Sequence, residues 1–546
     1  MKRIFLSILI VIGIIYPDLS FARKMRLEKT RIQEPSELRN HPIERLLSGT
    51  GSLNQASRDA NKLLILLIDF QKEEIDDPQT TGNGEFIQDP TGYNIPIGKP
   101  PHDYDYFVSQ SEVLYYYYDA VSYGSFLLDI DVYPQTTPGN FEAYTLPHEM
   151  AYYNPQGVSQ ELMITRFEEY FHDAFTKADE DSTLDFSQYE HFMFIHAGAD
   201  TQHDFNGDSP ADIPSFFIKV GTGKEVTVDG SIVIDHACNV PEMITQDVDE
   251  IPNGEGYIFT NYGVINGVMV HEFGHSIGFV DLYNVYNNTP QVGYYDIMDS
   301  GGSIAVNFPW GVDSLFSMEG VYPALPGAWS RTIAFEDNFR ARGILKDISE
   351  FDLSKRINIL PAEKMFDATA INDSTAYFVK IPLNDTEYLL VENRQSDPDG
   401  DGGSIPIWSD DYRVILAPSS TNPNDPNPNY EYDWLLPGWI DNTEDSKTFG
   451  GGLVVWHIDN ALLEENDNYN NNTVNTLHSR RAVKIIEADN IDDIGNQYSM
   501  FWQGTAYEPF FKYSPLLDEF GDFLGWNDDY ILNSNGVLEF IGSIAS

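Results

Sequence analysis

The sequence predicts a mixed α/β (α+β) domain followed by a β-rich C-terminal region, and three observations predict it. Leu63-Leu64-Ile65-Leu66-Leu67-Ile68 and His191-Phe192-Met193-Phe194-Ile195-His196 are short continuous apolar runs, as expected of strands buried on both faces. Val113–Val121 and Gln160–Ala178 have helical character instead. Past about residue 350 the texture changes to short strands between loops heavy in Asn, Asp, Pro and Gly.

In chain order, the first element is an export signal. Lys2 and Arg3 precede an apolar run from Ile4 to Ile15, and Ser20-Phe21-Ala22 supplies small residues on either side of Phe21 for a cleavage site. Residues 1–22 therefore read as a secretory signal peptide, with an uncleaved anchor as the rival. Residues 23–60 are polar and read as a pro-segment or N-terminal arm. Residues 61–345 hold the mixed α/β pattern, with a Gly-, Pro- and Asp-rich loop over 76–105. Residues 346–546 hold the β-rich pattern, with strands expected at Arg356–Leu360, Ala376–Ile381, Tyr388–Glu392, Tyr412–Leu416, Leu453–Ile458 and Ala482–Glu487.

Composition narrows the function. A chain of 546 residues exceeds what one core usually serves, and 42% hydrophobic with 13% aromatic residues is a globular composition. The formal net charge of −53 opposes binding to nucleic acid, whose phosphates would be repelled. No later segment approaches a membrane-spanning length, so no stable membrane insertion is expected after signal cleavage. The single cysteine, Cys238, leaves an exported protein without an internal disulfide and reads as a small buried hydrophobe.

The chemistry lies in Val264-Ile-Asn-Gly-Val-Met-Val-His271-Glu272-Phe-Gly-His275-Ser-Ile277. On a helix, His271 and His275 stand one turn apart on one face, where both imidazoles can reach one Zn²⁺. Glu272 beside them can act as general base on the attacking water. Gly278 can turn the chain sharply and bring Asp281 under the metal as third ligand. An aspartate just past a helix C-terminus opposes the dipole unless a cation compensates it. Tyr295-Asp296-Ile297-Met298-Asp299-Ser300-Gly301 follows, and a methionine in a tight turn completes a metzincin-like zincin pattern.

These stretches, together with Pro326-Gly-Ala-Trp-Ser330, Tyr388-Leu-Leu-Val-Glu392-Asn-Arg394-Gln395, Gly452-Leu-Val-Val-Trp456-His-Ile-Asp459 and Ile195-His-Ala-Gly198, resemble the immune inhibitor A family of secreted metallopeptidases. The resemblance implies an extracellular zinc endopeptidase, made as a precursor and acting on protein or peptide substrates. Carried over by residue, it makes His271, His275 and Asp281 zinc ligands and Glu272 the catalytic base. Alternatives are a surface binding protein that keeps the fold without activity, and a hydrolase acting on non-peptide amides or esters. Tyr283, Tyr294 and Tyr295 are candidate oxyanion donors.

Calcium is a second expected ligand. Asp397-Pro-Asp399-Gly-Asp401-Gly402 has the spacing of a calcium loop, although Trp408 stands where a bidentate glutamate belongs and Asp410 or Asp411 would have to substitute. Two weaker candidates are Asp179 to Glu190 and Asp204-x-Asn206-x-Asp208.

Overall fold

The computed structural model describes residues 61–510 apart from 94, 96, 137–138, 205–206, 245–249, 253–257, 311–313, 399–403, 421–429, 442–446, 497 and 500–501, and also four short strands between 515 and 540. The expected signal peptide and pro-segment (1–22 and 23–60) lie outside the described residues. Among those described, no helix is long and apolar enough to cross a membrane. The chain is a mixed α/β protein with several sheets and few helices.

The first sheet is built on β1 (Asn61–Asp69), the first of the apolar runs. It pairs in parallel with β2 (Leu128–Tyr133) on one side and with β3 (His191–His196) on the other. Beyond β3 come β5 (His236–Pro241), parallel, and β4 (Phe216–Lys219), an antiparallel edge strand. Leu63 through Ile68 are all fully buried. Strand alternation sends Leu63, Ile65 and Leu67 into one apolar cluster and Leu64, Leu66 and Ile68 into another. That two-sided burial is why the run carries no polar residue.

Helix α2 (Gln160–Ala178) covers one face. Ser159 caps it by accepting from Leu162 N–H, and Phe167, Tyr170, Phe171, Ala174, Phe175 and Ala178 form its buried stripe. The other face meets α1 (Tyr104–Val121) and α3 (Asn266–Ser276). The helical pattern at Val113–Val121 is thus the second half of a longer helix. Asp103 caps it through Tyr106 N–H, and Tyr106 and Phe107 add buried residues to its first turn.

After α4 (Ala328–Ala341), the chain enters a second six-stranded sheet at β6 (Leu345–Asp347). Here β7 (Phe378–Pro382), β8 (Glu387–Gln395) and β10 (Lys447–Asp459) run antiparallel in succession. β9 (Gly438–Asp441) and β11 (Val483–Ile485) both pair with β10. One expected strand is displaced: Tyr412 sits at φ 61° in a turn, and pairing begins only at Ile415. Asp410, Asp411 and Tyr412 favour that turn, Asp411 bonding Ser409 Oγ, Arg413 N–H and the Arg413 guanidinium. The cluster containing Leu63 and Met193 continues without a break through Trp329, Tyr377 and Leu390 to Trp456 and Ile485. The two sheets therefore share one core.

Candidate metal centre

Helix α3 is buried on nearly every side, with Met269, Val270 and Phe273 in the shared core. It has no side-chain N-cap; Gly267 N–H instead donates to Gly320 O at 3.1 Å. His271 and His275 project from its solvent-facing side, their ring centroids 5.2 Å apart. Gly274 lies between them on the inner side, where a Cβ would come within 2.9 Å of Phe279 and 3.0 Å of the Met298 sulfur. Glycine there lets Met298 pack directly beneath the helix.

Gly278 adopts φ +102°, and Phe279 N–H returns to Gly274 O at 2.9 Å. The chain reverses, as the sequence pattern expects, and carries Asp281 back beneath the histidines. Asp281 Oδ1 lies 3.1 Å from His271 Nε2 and 3.4 Å from His275 Nε2. Two ligands of a tetrahedral zinc with bonds of about 2.0–2.1 Å stand roughly 3.3 Å apart, so these gaps match the edges of a zinc coordination shell.

The tautomers agree. His271 Nδ1 donates to Ile297 O at 2.8 Å, and His275 Nδ1 donates to Phe279 O at 2.9 Å. A carbonyl can only accept, so both Nδ1 atoms carry hydrogen, and each ring turns its Nε2 toward Asp281, as a lone pair for a metal ion or as an N–H when the ring is protonated. Among the described residues, Asp281 Oδ1 has only these two Nε2 atoms as polar neighbours in contact. So close to a buried carboxylate oxygen, the two imidazoles call for positive charge, carried as protons on Nε2 or as a cation among the three groups. The residues fit a zinc ion.

Charge coupling points the same way. Burial opposes protonation of His275, yet the carboxylates of Asp281 and Glu272 raise its pKa. Asp281 is held well below the usual carboxylate range, the two imidazoles outweighing its own burial. Glu272 is itself buried, and its backbone carbonyl accepts from the Cys238 thiol at 3.2 Å. Cys238 is fully buried and its pKa is raised by desolvation, which is the behaviour of a small hydrophobe.

The supporting residues come from far along the chain. Asn472 Oδ1 accepts from Asp281 N–H at 2.6 Å, and its Nδ2 donates to Asp281 Oδ2 at 2.7 Å, across 191 residues. One asparagine thereby fixes the backbone of Asp281 and occupies Oδ2, leaving Oδ1 for the metal. Tyr469 donates to Gly278 O and Asn475 Nδ2 to Leu282 O, so this loop clamps the whole turn. Sequence reasoning missed Asn472; the asparagine-rich stretch around 470 was visible only as a loop.

The methionine segment is held with equal care. Asp296 accepts from Met298 N–H, Gly327 N–H and Ser330 Oγ, joining it to the start of α4. Asp299 Oδ2 accepts from the N–H groups of Gln291, Val292 and Gly293. Tyr295 is buried, and its hydroxyl donates to Thr505 O at 2.6 Å, which removes it as an oxyanion donor. Phe217 of the edge strand β4 stands beside His275, ring centroids 6.0 Å apart.

Of the expected calcium loop, Asp397 is described, while Asp399 and Asp401 lie outside the described residues. In the Asp179–Glu190 stretch the carboxylates serve as local caps. Asp181 bonds Thr183 and Tyr144, Asp185 bonds Ser187 and Gln188, and Asp179 accepts from Asp229 N–H. Asp204 accepts from the N–H groups of Gly207, Asp208 and Ser209. No protein-family model and no curated protein matches this chain.

Proposed function

We propose that this protein is a secreted zinc endopeptidase with a metzincin-like catalytic part and a β-rich C-terminal part, akin to the immune inhibitor A family. The observation that carries the reading is the convergence of His271 Nε2 and His275 Nε2 on Asp281 Oδ1, with Glu272 on the same helix. Bound there, a zinc ion would polarise the scissile carbonyl and acidify the attacking water. Glu272 takes the proton of that water on its carboxylate and later delivers it to the leaving amine. Ile297 O and Phe279 O keep the imidazoles in the ligating tautomer throughout. β4 pairs with β5 alone among the described strands, and its outer edge offers an extended peptide a backbone to lie along.

The test is hydrolysis of unfolded casein by the processed protein beside Glu272→Ala. Loss of the base should lower the rate by about 10²–10⁴-fold or more, with the fold intact by circular dichroism. Equal rates in both proteins would refute the assignment.

A further inference from the structure

Outside the histidine centre, three acidic side chains meet in the interior of the C-terminal part. Glu487, Asp489 and Glu508 each offer a carboxylate oxygen, all within 4.8 Å of one another, and all three are buried. Their remaining valences are satisfied by backbone. Glu487 Oε2 accepts from Asp493 and Ile494 N–H, Asp489 Oδ1 from Ile491 N–H, and Glu508 Oε1 from Thr505 N–H. One oxygen is left over, Glu508 Oε2, on a fully buried side chain, while the Glu487 carboxyl also shares a hydrogen bond with the Asp493 carboxyl.

Among the described residues, no Lys or Arg nitrogen forms an ion pair with these carboxylates. Arg481 is close enough to act on Glu487; its two Nη atoms bond Gln291 O, Ile494 O and Asp492, and its buried Nε makes no hydrogen bond. Burial, then mutual repulsion, pushes Glu487 up to about 10 and Glu508 to about 8, and burial raises Asp489 to about 6. Three like charges in a dry site demand either protons or a cation.

We propose that Glu487, Asp489 and Glu508 form a calcium site. The donors are all hard oxygens, without the nitrogen or sulfur that a transition metal prefers. Calcium–oxygen bonds of about 2.3–2.6 Å allow opposite donors up to about 5 Å apart, which accommodates this cluster.

The position gives the ion a task. Thr505 O accepts from Tyr295 OH, Gln503 O accepts from Tyr294 N–H, and Arg481 reaches Gln291 O. The loop that the ion would close thus grips residues 291–295, the approach to Met298 under the metal centre. Calcium would tie the last part of the chain to the floor of that centre.

The experiment is calcium binding by equilibrium dialysis, with melting temperature followed in chelator and in excess calcium, for the purified full protein and Glu508→Gln. The wild type should melt several degrees higher with calcium. Glu508→Gln should bind one calcium fewer per chain and should lose the calcium-dependent rise in melting temperature. Should that variant fail to fold, Asp489→Asn gives the same reading of stoichiometry. Equal calcium stoichiometry in wild type and a folded variant, or no calcium bound by the wild type, overturns the proposal.

Discussion

Around Arg394 and around Asp281, carboxylates are buried in the same continuous core, yet they are neutralised differently. Arg394 is fully buried, bonded to Asp433 through Nε and Nη2 and to the carbonyls of Tyr295 and Leu325. Its charge holds Asp433 below the usual range, while burial pushes neighbouring Glu363 and Glu392 upward. Glu392 is further satisfied by Trp456 Nε1 at 2.7 Å. The chain supplies that cation itself. At Asp281 it supplies only two imidazoles, so the positive charge has to arrive from solution, as protons on Nε2 or as a metal ion. A buried acid with a guanidinium reads as architecture, and one facing only imidazole Nε2 atoms reads as a site that can take a cation.

The comparison can be broken in three ways. Arg394→Met should leave Asp433 buried without its cation and cost on the order of 3–5 kcal/mol, read by urea unfolding. The loss should be the same with and without chelator; a chelator-dependent loss would mean that Arg394 acts through the metal centre.

His203 is the intermediate case, in which the cation is a proton. Burial alone would lower its pKa, but Asp200, 2.5 Å away, and Glu319 raise it to about 10. A histidine pKa raised on folding adds stability that is full below its unfolded value near 6.5 and is lost as pH rises through the folded value. His203→Gln should therefore cost on the order of 3 kcal/mol at pH 6, a deficit that shrinks as pH rises from about 6.5 and is nearly gone by about 10. A deficit that stays constant with pH would contradict this.

Asn472→Leu removes both hydrogen bonds to Asp281 and should weaken zinc binding by about 10–100-fold in competition with a chromophoric chelator. Unchanged affinity would mean that Gly278 and the Met298 segment hold Asp281 without help.

Much of this was legible locally. The Leu63–Ile68 run shows its two-sided burial directly, and Gln160–Ala178 coincides with α2. Spacing within residues 271–281 was enough to foresee the convergence, because a helix turn and one glycine determine it. Asn472 and the Glu487–Asp489–Glu508 cluster were not legible. Their function comes from contacts across long loops, and acidic residues in so acidic a chain look like solvated surface until burial is known. Tyr104 to Glu112 escaped the helical reading because Asp103, the cap, sits at the end of a loop-like stretch.

The most direct measurement is zinc content by atomic emission, after dialysis against trace zinc, for the wild type and His275→Ala. One zinc per chain in the wild type and under a tenth of that in the folded variant is the predicted result. Wild type without zinc, or a folded variant that retains it in full, would contradict the account.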